Sequence, residues 1–410
     1  MRLSLTGEQD ELRATVSRFF AENSPMRRIR EVIDGDLGFD PALWKRMTGE
    51  LGLAGLAIPE QYGGAGYGVV ERSVVLEEAG ATLVPSPFFA SAVLAAEVLL
   101  GVGDEAACGR LLPGIAAGER IATVAISESD GGWGTPVQTS AIERDGGWAL
   151  TGGKTLVVDG MAADFFLVYA QTSDGPGFFE VDASAAGLER VALRTFDPTR
   201  RMARLSFTDC PAVRIGADVT EKLAAIADRV VTALAAEQLG GLRQAMRMAV
   251  DYAKLRVQFG RVIGSYQAVK HLCVDCYVDW ELANAAVRHA SWVADESPAE
   301  LPAAAAFTAS LVGPAYFRVA ETSIEIHGGI GFLGARPAFL LQASEIIATS
   351  AGRHGLAPIR TCQRAGRLTF LFTRTRVTPT AETAMPRKML VVTGCPSNGT
   401  ASRAVTGGTR

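Results

Sequence analysis

The chain has 410 residues, 48% of them hydrophobic and 20% charged, with 40 basic side chains against 44 acidic ones. That length and balance suit a folded protein of two or three packed domains and exclude a chain that is mainly disordered or coiled coil. A formal charge of −4 offers no basic surface for nucleic acid or an anionic membrane.

The opening run, MRLSLTGEQDELRATVSRFFAENS, turns polar at once and has no signal-peptide core. Thr6 followed by Gln9 reads as a capping box, with Leu12, Val16 and Phe19–Phe20 forming the apolar stripe of a first helix. PALWKRMTGELGLAG gives a second amphipathic segment, broken at Gly52 and Gly55, and the glycine-rich loop IPEQYGGAGYG leads into the helical VVERSVVLEEAGATL. FFASAVLAAEVLLGVG (Phe88–Gly103) is interrupted by Glu97 and is too short to span a membrane comfortably, so it reads as a buried helix. Membrane insertion is not expected, and the cytoplasm is the expected location.

After Arg120 short runs rich in valine, threonine and aromatics alternate with turns. Asp145-Gly146-Gly147 and Gly152-Gly153 are expected to punctuate strands as hairpins do. From about Val219 a long alanine- and leucine-rich helix returns, and its Gly240–Gly241 pair would permit close helix contact. Further helices are expected over 265–293, 300–325 and 335–352. The fold class is therefore α+β: an N-terminal helical domain over 1–120, a middle β-domain over 121–215, a C-terminal four-helix bundle over 216–370, and an irregular or disordered tail over 371–410.

The six cysteines are dispersed. Cys273 and Cys276 form a CxxC inside a helical pattern, whereas a redox pair normally sits at a helix start. No zinc-site spacing occurs and the four histidines do not cluster, so no metal is expected.

Two segments carry the chemistry best. LRVQFGRVIGSYQAVKH (Leu255–His271) places Arg256 at the end of a long helix, beside Gly260 and ahead of a new helix holding Gln267. A guanidinium there can grip a phosphate in bidentate fashion, or it can simply cap its own helix. IEIHGGIGFLG (Ile324–Gly334) offers Gly328, Gly329 and Gly331 for close approach of backbone to a ligand, or for a plain turn.

Taken in order, IPEQYGGAGYG, LEEAGATL, FDPTRR (Phe196–Arg201), RVQFGRVIGSYQAVKH and IHGGIGF resemble the acyl-CoA dehydrogenase superfamily over roughly residues 5–360, and in particular its actinobacterial members that act on fatty-acyl and sterol side-chain thioesters. The resemblance implies FAD as cofactor, an acyl-CoA substrate, a flavoprotein electron acceptor, and a homo-oligomer or heterotetramer. Under it, Arg256 and Phe259 lie near the FAD diphosphate and adenine, with Gln267 nearby. Gly328, Gly329 and Gly331 receive the adenosine end from a neighbouring subunit, with Glu325 just ahead of them. Ser127, in AISESDGGWG, replaces the threonine that bonds the flavin ring. Lys154, Val157 and Val158, in GGKTLVVDG, form the flavin wall.

The same family removes an α-proton with a glutamate while hydride leaves the β-carbon for the flavin. Of the two places that supply this base, one holds Ala348, three residues beyond Glu345, and the other holds Val230. Glu237 is the candidate for a relocated base, about 10.5 Å along the helix from Val230 on a similar face, with Asp228 and Glu345 as lesser candidates. Altered flavin chemistry, as an oxidase or monooxygenase, and a non-catalytic partner subunit are the competing readings.

Overall fold

The computed structural model describes residues 4–128, 133, 137–144, 146–195, 197–217, 219 and 221–332, which fall within one compact unit. The helix expected over 335–352, Glu345, Ala348 and the tail lie outside the described residues.

Six α-helices come first: α1 Gly7–Asn23, α2 Met26–Ile33, α3 Pro41–Gly49, α4 Val69–Thr82, α5 Ala96–Val102 and α6 Glu105–Ala116. The capping box on α1 forms as its sequence requires. Gln9 N donates to Thr6 Oγ1 at 3.2 Å, and Thr6 N donates back to Gln9 Oε1 at 2.9 Å. Past α3 the left-handed Gly52, at φ 63°, ends the run. The apolar stretch beginning at Phe88 is buried as expected, and a wide π-type segment, Phe89–Ala95, leads it into α5. Among the described residues no helix is long and apolar enough to cross a membrane.

Seven strands follow: β1 Ala122–Ala125, β2 Ser140–Arg144, β3 Gly147–Val158, β4 Phe165–Thr172, β5 Gly175–Asp182, β6 Leu188–Leu193 and β7 Met202–Ile215. Their order is β1-β4-β2-β3-β7-β5, with β6 beside β7, and a β4–β5 pairing closes the sheet on itself. On β4 the alternation is clean. Phe165, Leu167 and Tyr169 face the main helical core, while Phe166, Val168 and Ala170 face the sheet's own core. β2 and β3 pair antiparallel, with Arg144 opposite Gly147, as a hairpin requires; Asp145 lies outside the described residues. Gly152-Gly153 does not make a hairpin. It lies inside β3 at a register shift, where Gly152 takes φ 141° and a Cβ would stand 2.7 Å from Thr139 Cα. A glycine within a strand pattern marks a bulge as readily as a turn.

Three long helices, α7 Lys222–Leu255, α8 Gln267–Glu296 and α9 Leu301–His327, complete the described fold. The pair Gly240–Gly241 does what its sequence suggested. A Cβ on Gly240 would stand 1.8 Å from the Glu77 carbonyl oxygen of α4, and one on Gly241 would meet the Tyr316 hydroxyl oxygen of α9 at 2.2 Å. Gly80 of α4 returns the contact, with its virtual Cβ 2.0 Å from the Glu237 carbonyl oxygen. Beside this crossing Glu77 is buried at 2% exposure and takes Arg243 Nη1 at 2.6 Å, Arg13 Nη2 at 3.2 Å and the Arg288 guanidinium. Glu78 takes the other arm of Arg243 at 2.7 Å. Burial alone would raise the Glu77 pKa, but the three arginines outweigh it and hold the carboxyl below its ordinary range.

The crossing yields a paired prediction. Gly→Ala inside a helix ordinarily gains up to about 1 kcal/mol. Gly109→Ala, in α6 with nothing within 4 Å of the new Cβ, should show that gain in chemical denaturation. Gly240→Ala should reverse the sign and lose roughly 3 kcal/mol or more, as overpacked cores do.

Candidate functional site

The expected flavin-wall residues divide by where they face. Lys154 is buried, with Nζ donating to Glu128 Oε1 at 2.7 Å and to the Ile126 carbonyl at 3.0 Å. Thr155 N donates to the Ser127 carbonyl at 2.8 Å, which fixes Ser127 against the edge of β3. Between Lys154 and Val157 the register shifts, and the intervening Leu156 takes φ 55° with 38% of its surface exposed. Val157 belongs to the sheet's own core at 1% exposure, whereas Val158 packs against the helical core. Leu156 is thus the outward side chain of this segment. Sequence alternation missed it because the bulge puts Lys154 and Val157 on the same side.

The residues expected on the adenosine side come together at one end of the helices. Arg256 ends α7, its N–H bonded to the Tyr252 carbonyl, and a two-strand hairpin follows with β8 Val257–Gln258 and β9 Arg261–Val262. Its two turn residues, Phe259 and Gly260, lie at φ 51° and 78°, as a two-residue type I′ hairpin demands. Glycine accepts that conformation freely, but a bulky aromatic is strained there by on the order of 1–3 kcal/mol. Phe259 nonetheless stands 93% exposed. The Arg256 side chain is exposed and makes no hydrogen bond or ion pair among the described residues. Gln267 opens α8, exposed, with its amide near His271 Nε2 at 3.5 Å.

A small cluster seats the hairpin: Ala249, Ala253 and Ile326 buried, with Tyr252, Ile263, Val269, Leu272 and Cys273 packed on them. His327 stacks on Tyr252 with ring centroids 4.5 Å apart, which brings the glycine segment of α9 beside the end of α7. Gly328, at φ 62°, and Gly329 have nothing among the described residues within 4 Å of a virtual Cβ, whereas Gly331 packs on the Ile324 carbonyl. Glu325 is exposed. Cys276 lies buried in α8, where desolvation pushes its thiol up to about 11, far from a reactive thiolate.

At the α7 position where the resemblance expects the base, Val230 is 5% exposed within the main core. Asp228 lies about 200° around the helix from it, and burial pushes its carboxyl up to about 6. Glu237 shares the face of Val230, but its Oε1 is held by the Arg200 guanidinium. That pair borders a cavity of about 40 Å³ lined by Leu76, Leu83, Phe88, Phe89, Asp159 and Tyr316, among others. Arg200 lies over the Phe89 ring at 4.9 Å. Burial opposes its charge, but Glu237, Asp197 and Asp159 outweigh that and keep it protonated. Asp197 is itself satisfied by Thr199 N at 2.8 Å and Thr199 Oγ1 at 2.6 Å. Two buried atoms, Arg200 Nε and Glu237 Oε2, have no hydrogen-bond partner among the described residues. Arg200 and Asp159 stand within the runs FDPTRR and GGKTLVVDG, but neither had a role legible in the sequence, because their partners come from segments far apart in the chain.

Burial pushes Asp159 up to about 7, with Arg200 opposing the shift and Glu237 adding to it. The folded protein therefore holds this proton more tightly than the unfolded chain, and stability from this group falls as pH rises from about 4 to about 7. Asp159→Asn removes the penalty. Its melting temperature should match the parent near pH 4 and exceed it above pH 7, by at most about 4 kcal/mol of stability. A gap that does not grow with pH would refute the assignment.

Two family models match the chain: acyl-CoA dehydrogenase, N-terminal domain, over residues 6–119, and acyl-CoA dehydrogenase, C-terminal domain, over 229–352. The chain is 32% identical to acyl-CoA dehydrogenase IpdE2 of Mycobacterium tuberculosis over 326 residues, 79% of this chain and 86% of that one. It is 35% identical to acyl-CoA dehydrogenase FadE27 of the same organism over 316 residues, 74% of this chain and 82% of that one. A chain of the ChsE4-ChsE5 complex from Mycobacterium tuberculosis superposes with a TM-score of 0.80 at 29% identity, covering 89% of this chain and 98% of that one. The helical–β–helical order, the outward hairpin of α7 and these matches agree, and the chain belongs to the acyl-CoA dehydrogenase family of FAD-linked oxidoreductases, which pass electrons to a flavoprotein acceptor.

Proposed function

We propose that the chain takes part in converting an acyl-CoA thioester to its 2-enoyl-CoA as the base-less member of a heterotetramer, with a homologous subunit carrying the glutamate. When bound, FAD supplies the hydride acceptor for the β-carbon and passes the electrons on. The observation that carries the reading is the contrast between the two ends of the site. Arg256 and a strained Phe259 are exposed, and the Arg256 side chain has no hydrogen bond or ion pair among the described residues, while the position on α7 that the resemblance gives to the base is Val230 and the nearest carboxylate on that face is engaged by Arg200. The likeness to one chain of a two-protein complex supports a mixed assembly.

In this reading the guanidinium of Arg256 grips the FAD diphosphate, and the ring of Phe259 stacks on the adenine. Gln267 sits at a helix start whose free N–H groups favour the same anion. The open backbone at Gly328 and Gly329 admits close approach, while the exposed Glu325 carboxylate limits how near a phosphate comes. At the other end Ser127 carries a hydroxyl where the family has the threonine that bonds the flavin ring. Val158 offers none, so the ring side fits FAD less completely than the adenosine side. That loss also favours a second reading, altered flavin chemistry with oxygen as acceptor, which oxygen consumption during acyl-CoA turnover would reveal.

The test is flavin affinity measured by fluorescence titration of the purified assembly. Arg256→Ala should weaken binding roughly 10- to 100-fold, the worth of a charge-assisted phosphate contact. Phe259→Ala should weaken it by about 10-fold. Both positions are exposed, so the melting temperature of the flavin-free protein should not fall. Unchanged flavin affinity in both variants would overturn the reading.

A further inference from the structure

A lysine is almost never fully buried unless it is paired, and Lys154 is 1% exposed. Its ammonium donates to Glu128 Oε1 and to the Ile126 carbonyl, on either side of Ser127. The carboxylate that receives it has further partners. Glu128 Oε1 also accepts Thr139 N at 2.9 Å, and Oε2 accepts Gln138 N at 2.8 Å, from residues 11 and 10 positions further along the chain. Burial alone would raise the Glu128 pKa, but Lys154 and these backbone N–H groups outweigh it and hold the carboxyl below its ordinary range. One ion pair thus joins three stretches of chain: the continuation of β1, the approach to β2, and β3.

The strand opposite Ser127 is shaped to receive it. The pairing of β3 with β7 skips from Lys154–Leu205 to Val157–Ala203, which takes Thr155 out of the ladder. Its N–H donates instead to the Ser127 carbonyl at 2.8 Å, and four residues back Thr123 Oγ1 donates to the Val158 carbonyl at 2.6 Å. The bulge is held under strain. Leu156, within it, keeps a left-handed φ of 55°, which a bulky side chain adopts only where its surroundings fix it. Lys154 bounds the bulge on one side, drawn inward to Glu128, and Val157 bounds it on the other from the sheet's own core. A buried ion pair is a weak source of net stability, and its best-attested use is to select one arrangement among several.

We propose that the Lys154–Glu128 ion pair is a positioning device for the flavin ring, acting through Ser127, whose segment it holds in place against β3. The proposal rests on the reading that sets Ser127 at the ring, and it adds the two residues that fix where that hydroxyl stands. Lys154, which sequence order sets beside Val157 and Val158 in the wall, then works from behind the wall. Support of this kind matters because a contact group displaced by about 1 Å loses much of its worth.

The test is a double-mutant cycle on FAD affinity, read by fluorescence titration of the purified assembly. Ser127→Ala should weaken binding roughly 3- to 10-fold, the worth of one hydrogen bond. Lys154→Met keeps a long side chain, removes the ammonium, and should weaken binding by a similar factor. The double variant should lose no more than about twofold beyond the larger single loss, since Ser127 is what the pair positions. A lysine that only supports the fold would give losses that multiply. Multiplied losses, or a Lys154→Met affinity equal to the parent's, would overturn the device. Glu128→Gln preserves the test if the methionine variant does not fold. Its amide oxygen still accepts a backbone N–H, the stranded lysine can shed its proton, and the same non-additivity with Ser127→Ala is expected. Failure of the ring-side reading shows up separately, as a Ser127→Ala affinity equal to the parent's, and that outcome overturns the device as well.

Discussion

The close crossing of α4 and α7 is the contact on which the rest of the structure depends. Backbone meets backbone there because Gly80 and Gly240 each leave room for the other helix's carbonyl, and a single methyl on either would push the helices apart. Glu77, on the flank of that crossing, gathers Arg13, Arg243 and Arg288 from α1, α7 and α8. A buried carboxylate of this kind is a weak source of net stability, but losing any one partner leaves charge stranded in the interior. It therefore specifies which helices meet, and at what depth, more than it adds to stability. A second such node, Glu97 with Arg72 at 2.6 Å and Arg229 at 2.9 Å, ties α5 to α4 and α7 in the same way.

That crossing also decides what the site can be. With α7 drawn so close to α4, Glu237 is carried to the border of the cavity, where Arg200 reaches it from the β-domain. The far end of the same helix runs on into the hairpin and delivers Arg256 and Phe259 to the surface. One helix thus has an end where its carboxylate is engaged by Arg200 and an end offered to the surface. The arrangement fits a subunit whose contribution to catalysis is made at another subunit's flavin.

Much of this was legible in the sequence, and the misses have physical causes. The order of helices and strands, the cap at Thr6, the break at Gly52 and the close contact of Gly240–Gly241 follow from local chemistry, and each forms. The site was legible where a motif is contiguous, as at Arg256–Gly260 and Gly328–Gly331. It was not legible where partners meet only on folding. Nothing near Arg200 in the chain announces Glu237, 37 residues on, or the ring of Phe89. The β3 bulge shows a third limit: Gly152-Gly153 looked like a turn, and the second irregularity, past Lys154, exchanged Leu156 for Val157 on the outward side. One inserted residue reverses a strand's faces, and short sequence windows do not register it.

The most direct measurement is an anaerobic absorbance titration of the chain by itself, loaded with FAD, against acyl-CoA thioesters of several lengths. The account predicts a flavin that stays oxidised however much thioester is added, because Val230 stands at the base position of α7 and Glu237, on the same face, is held by Arg200. Bleaching of the flavin near 450 nm by the isolated chain would contradict it, since that would require a working base within this one subunit.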